Sequence, residues 1–138
     1  MRALCVKQPW ASLIATGEKT IELRSWRTHY RGPVLIVASA RPDRRADLGA
    51  LACRTLDRPH GVAIACVELY DVRPFARADE RQSLFNPGEA PTFSWLLRGV
   101  RALEPPYVAL VGRLGIFHLD DAATVRAVRR NLSRRGAR

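Results

Sequence analysis

The sequence predicts an α+β fold: a small β-barrel of about five to six strands with packed helices and a basic C-terminal helix. Three observations predict it. Apolar segments of strand length recur along the chain. Glycines interrupt the last of them. The final segment then changes to a helical period. Short strands with glycine bends favour a closed or nearly closed barrel over an open parallel sheet. The length, 138 residues, suits one domain. A domain of that size buries roughly 68% of the surface its unfolded chain exposes, so a core forms without staples. Residues 1–120 are expected to make the domain, and 121–138 a basic helix and tail that pack on it or extend from it.

The elements follow in order. "RALCVK" is a short first strand. Gln8-Pro9-Trp10 opens a helix, with Pro9 suited to the first helical position, where no N–H is needed. Trp10, Leu13 and Ile14 form its apolar face, and Gly17 closes it. "KTIELRSW" alternates. Ile21 and Leu23 point to the core, while Thr20, Glu22, Arg24 and Trp26 share a polar face. Residues 27 to 33 form a basic loop. "VLIVASA" is a strand buried on both faces. Residues 43 to 58 suit a helix. "GVAIACVELYDV" is a long strand. Residues 74 to 92 make an irregular excursion. "TFSWLLRGVRAL" is a strand with a glycine interruption, Pro105-Pro106 a turn, and "VALVGRLGIFHL" the last strand. Asp120 or Asp121 caps a final helix, with Val125, Val128 and Leu132 as a narrow apolar stripe.

Composition narrows the function. The apolar fraction of 47% fits a globular protein. No run of about 18 apolar residues is present, so no membrane span is expected. The apolar start at Ala3 is cut short by Lys7-Gln8-Pro9, unlike a signal peptide, and a cytoplasmic location is the expectation. Cys5, Cys53 and Cys66 read as buried reduced thiols. His29, His60 and His118 are scattered, so no metal site and no cofactor are expected. Signatures for phosphate loops, zinc sites and hydrolytic nucleophiles are absent.

The net charge of +10 points to a polyanionic partner, nucleic acid above all. From Asp121 to Arg138 there are six arginines and one aspartate. A charge run of this kind is also the mark of a solvated face, so composition alone does not decide. The distribution of lysine is more telling. The chain has 21 Arg and 2 Lys, and both lysines fall in "KQPWASLIATGEKTIELRSW". Lysine offers a compact titratable ammonium and arginine a fixed fork, so the two are not interchangeable. Glu22 and Arg24 share one strand face, and Lys19 stands at the strand entrance. One reading is a surface ion pair of about 0–1 kcal/mol. The other is a binding group, because tryptophans beside cations suit a stacked base and its phosphate. Trp10 lies on an apolar helix face and reads first as core. For Trp26 both readings stand.

The run "ALCVKQPWASLIATGEKTIELRSWRTHYRGPVLIVAS" resembles the opening of the ASCH (activating-signal-cointegrator homology) domain of the PUA-like superfamily. The resemblance continues through "GVAIACVELYDV" and "FSWLLRGVRALEPPYVALVGRLGIFHL", to about residue 119. It implies a PUA-like β-barrel with a cleft beside the first helix, binding RNA or DNA. Carried over, the cleft would be lined by Lys7, Gln8, Trp10, Lys19, Glu22, Arg24, Ser25 and Trp26, and completed by Ser39, Phe93 and Trp95. Arg27, Arg31, Arg126, Arg129 and Arg130 would add phosphate contacts.

One branch of the family is enzymatic. Small proteins resembling acetylcytidine amidohydrolase carry Gly-x-Lys-Thr-x-Thr-x-Arg. Gly17, Lys19, Thr20 and Arg24 match, but Glu22 stands where the catalytic threonine would be. A carboxylate serves as a general base, not as a hydroxyl nucleophile. Neither Glu68 nor Glu80 matches the branch's catalytic glutamate well. Lys19 and Glu22 remain catalytic candidates for a hydrolase acting on a modified nucleoside or, as a ribonuclease, on RNA. A binding module is the leading reading, a hydrolase the second and a protein-interaction module the third.

Overall fold

A computed structural model gives the architecture and describes residues 1–45 and 57–136. The strands are β1 (Arg2–Val6), β2 (Ile21–Arg24), β3 (Gly32–Ala38), β4 (Val62–Pro74), β5 (Phe93–Ala102), β6 (Val108–Ala109) and β7 (Ile116–His118). The helices are α1 (Trp10–Ala15), α2 (Glu80–Ser83) and α3 (Ala122–Gly136). One mixed sheet runs β2-β5-β4-β3-β1-β7, with β6 on β4. It curls into a half-barrel. Among the described residues only β1 and β3 pair in parallel.

Side-chain alternation divides the sheet between two cores. Leu4, Val6, Val34, Ile36 and Ala38 join Trp10, Leu13 and Ile14 of α1 in the larger. Ala3, Leu35 and Val37 point the other way and meet Val128 and Leu132 of α3. The helices therefore cover opposite sheet faces, and β3 is buried on both, as its unbroken apolar run predicts. Asp121 is the cap of α3, accepting from the Thr124 amide at 2.9 Å. Asn131, buried on α3, accepts from the Glu104 amide at 2.9 Å and donates to the Glu104 carbonyl at 2.8 Å. Those bonds tie the helix to the turn after β5.

Three local expectations change. Pro9 is the residue before α1 rather than its first member. The excursion at 74–92 contains a 3₁₀ turn, Arg77–Asp79, and then α2. The last strand is two strands, β6 and β7, separated by a loop at 110–115. The helix expected over 43–58 lies largely outside the described residues, and its described flanks are not helical.

Asp79 organises the excursion. Its buried carboxylate accepts from the Ala76 amide at 3.0 Å, the Ser94 hydroxyl at 2.9 Å and Arg73 at 2.8 Å. Burial pushes its pKa up, but the Ala76 and Ser94 bonds and the Arg73 charge outweigh that and hold it below the usual carboxylate range. This anchors α2 against β5, which aims the Ser83 carbonyl at the site described next. Among the described residues, no helix is long and apolar enough to cross a membrane.

Candidate nucleic-acid interface

A cleft of about 750 Å³ opens beside α1 and β2. Its floor is built by one short chain reversal. Gly17, at φ +84°, takes the left-handed conformation after α1, and the Lys19 amide then bonds the Leu13 carbonyl at 3.0 Å. Lys19 thus enters β2 beneath Trp10, with its ammonium 5.1 Å from the ring centre. The ammonium also donates to the Ser83 carbonyl and lies 3.6 Å from Glu22 Oε1.

Glu22 and Lys19 are buried, at 6% and 3% exposure. The polar face of β2 is therefore no solvent face: it turns inward, and the surface ion-pair reading gives way to a buried one. Burial lowers the Lys19 pKa, and the Glu22 carboxylate opposes the fall. Arg24 Nη2 donates to Glu22 Oε2 at 3.0 Å and to the Cys5 carbonyl at 2.7 Å. β7 pairs with β1 only as far as Leu4. Where that pairing stops, Arg24 reaches across the open edge of the half-barrel to the next residue of β1. Its buried Nε has no hydrogen-bond partner among the described residues.

The facing wall is aromatic and charged. Trp10 Nε1 donates to Asp43 Oδ2 at 2.9 Å. Arg45 grips the same carboxylate, Nε to Oδ1 and Nη2 to Oδ2, each at 3.1 Å. Burial raises the Asp43 pKa, but the Arg45 bonds dominate and lower it to about 2. Arg45 also sits 5.4 Å from the Phe85 ring centre, and Phe85 meets Trp10 edge-on at 5.7 Å. Phe85 is aimed here by Leu84, whose φ of 59° ends α2 in a conformation rare for a branched side chain.

The predicted residues separate into those at the cleft and those away from it. Lys7, Trp10, Lys19, Glu22, Arg24, Ser25, Trp26 and Ser39 line it. Gln8 does not. It is buried, donating to Ser12 Oγ at 2.8 Å and to the Pro59 carbonyl at 2.9 Å, and so braces α1. Trp95 is fully buried, edge-on beneath Trp26 at 4.7 Å, and supports the wall from behind. Phe93 carries Arg27 over its ring at 5.3 Å, outside the cleft lining. Arg31 pairs with Asp71 at 3.6 Å, also outside it. Arg126, Arg129 and Arg130 are exposed on α3 and line no part of the cleft.

Asp43, Arg45, Phe85, Arg113 and Leu114 line the cleft without having been anticipated. Phe85 had a weak signal, as an aromatic in a polar excursion. Asp43 looked like a helix start. Among the described residues no cluster of His, Cys, Asp and Glu could hold a metal.

Residues 4–107 match the family described as the ASCH domain. The chain belongs to the ASCH domain family. Human activating signal cointegrator 1 is 38% identical over 79 residues, covering 49% of this chain and 14% of that protein. The mouse protein is 35% identical over 79 residues, with the same coverage. The ASCH chain thus spans about one-seventh of those relatives' length. The crystal structure of ASCH from Zymomonas mobilis superposes with a TM-score of 0.64 at 15% identity, covering 93% of each chain. A single-substitution variant of it gives 0.63 at 14% identity, covering 93% of this chain and 96% of that one. That likeness shows a shared ASCH fold. The family match ends at Tyr107, so β6, β7, the loop between them and α3 lie beyond it.

Proposed function

We propose that this ASCH domain binds nucleic acid, RNA or DNA, with one nucleotide held in the cleft. The observation that carries the reading is the buried Lys19–Glu22–Arg24 group at the floor of a cleft walled by aromatic rings. Its volume of about 750 Å³ falls in the usual range of small-ligand sites. Arg24, with an unpartnered Nε, is suited to a phosphate or a base acceptor. Glu22 orients both cations and offers a carboxylate to a base edge. Trp10 is only 7% exposed, so Phe85 and Trp26, both half-buried, are the better stacking faces. Lys7 and Arg45 at the rim, with the net charge of +10, attract the phosphate backbone. Fluorescence polarisation with labelled ten-nucleotide RNA and DNA over a salt series tests this. Binding that weakens steeply with salt is expected; no binding to either at low salt would end the reading.

A hydrolase is the second reading. It is favoured by Lys19, whose buried ammonium has a lowered pKa beside a carboxylate. In this reading Glu22 acts as base toward water and Lys19 stabilises developing negative charge. Chromatography of acetylcytidine and of labelled RNA after incubation decides it. Turnover that vanishes in Glu22→Gln supports the assignment, and turnover unchanged in that variant contradicts it.

A further inference from the structure

The loop at 110–115 stands at the mouth of the cleft and carries side chains that the fold does not use. Leu114 is 100% exposed and Val111 87%, whereas the other large exposed apolar residues among those described, Tyr70 and Val100, are at 40% and 38%. Tyr70 is moreover covered by Arg98, 4.6 Å from its ring centre. A fully solvated leucine contributes nothing to the core, and this one stands in the lining of the cleft.

The loop is rooted at both ends. A Cβ at Gly112 would lie 2.5 Å from Cys5 Sγ, so the backbone there is pressed onto β1. A Cβ at Gly115 would lie 3.8 Å from the Trp26 ring, so the other end rests on the cleft wall. Between these anchors Arg113 and Leu114 project beside the cleft. An apolar tip next to a cation, on a fixed root, is the arrangement by which proteins wedge beside a base while holding its phosphate.

We propose that this loop is a finger that engages the nucleotide next to the one in the cleft, Leu114 packing on its base and Arg113 meeting its phosphate. The proposal rests on the nucleic-acid reading above and adds a second subsite to it. The ligand class is a strand of at least two nucleotides, either single or locally opened from a duplex. The finger follows residue 107, where the match to the ASCH family ends.

The test uses the full chain and labelled ten-nucleotide RNA and DNA. Leu114→Ser removes the wedge from a fully solvated position, and an unchanged melting midpoint verifies that folding is untouched. Its binding is expected to be about five- to tenfold weaker than the parent's, with the same salt dependence. Leu114→Phe, which restores a stacking surface, is expected to recover parental affinity. Arg113→Gln should lower the salt slope by about one. Parental affinity in Leu114→Ser would overturn the finger while leaving the cleft intact. Failure of the parent itself to bind either strand would overturn the cleft reading and the finger with it.

Discussion

Lys19 with its partners and the arginines of α3 put similar charge into opposite settings. At the cleft floor, Lys19 and Glu22 are nearly excluded from water, and Arg24 is fixed by two hydrogen bonds. On α3, Arg126, Arg129 and Arg130 are exposed around a stripe that only packs the helix down. Charge in the first setting is organised, costly to disturb and specific in direction. In the second it is screened by salt and acts as a diffuse attraction. On the proposed reading, the net charge would attract a polyanion, and the buried group marks where it would be read.

The sharpest way to separate the two regions is to break the buried one. Lys19→Met removes one charge of the buried pair and leaves the Ser83 carbonyl without its donor. A loss of about 3 kcal/mol in urea unfolding is expected, because the partner charge stays buried and less compensated. A loss below about 0.5 kcal/mol would place the group in the solvated class with α3.

Gly112→Ala tests the seam between the floor and the finger. The added methyl would stand 2.5 Å from Cys5 Sγ, so either the loop or β1 shifts. A destabilisation of about 1–3 kcal/mol is expected by thermal unfolding, with weakened oligonucleotide binding. An unaltered midpoint would mean that the loop is not pressed onto β1.

Asp43 gives a pH handle on the cleft wall. Its folded pKa is depressed to about 2. The stability it contributes is therefore full above the unfolded carboxylate value, near pH 4, and lost as pH falls towards 2. Urea titrations between pH 4 and pH 2 should show this slope, and Asp43→Asn should flatten it. An equal slope in both proteins would remove Asp43 from the account.

The smallest effect on stability belongs to α3. Replacing Arg126, Arg129 and Arg130 by glutamine should change folding by no more than about 0.5 kcal/mol per site. The salt dependence of nucleic-acid binding should fall by about one per phosphate contact removed. Loss of all binding in this variant would shift the interface from the cleft to the helix.

Much of this was legible in the sequence because it depends on local period and pattern. The unbroken apolar run in "VLIVASA" announced a strand buried on both faces, and Val125, Val128 and Leu132 announced the seat of α3. The linked Lys19, Glu22 and Arg24 identified the floor. What failed to show was the burial of Glu22. Alternation puts it on a polar face, and only the curl of the sheet, with α2 folded over it, turns that face inward. Trp95 was misplaced for the converse reason: a strand tryptophan beside a site can prop the wall from behind. Asp43, Phe85 and Leu114 come from segments without periodicity, brought to the cleft by contacts distant in sequence. The 43–58 helix lies largely outside the described residues, so it adds nothing to that comparison.

The three indole N–H groups offer the most direct test of the cleft as the binding site. Trp10 donates to Asp43 on one wall, Trp26 lines the other, and Trp95 is buried behind it, donating to the Trp26 carbonyl at 3.2 Å. In a proton–nitrogen correlation spectrum each gives its own signal. Titration with a ten-nucleotide strand should move the Trp26 and Trp10 signals most, and Trp95 less. Shifts confined to the backbone of α3, with Trp10 and Trp26 unmoved at saturation, would contradict the cleft as the place where a nucleotide is held.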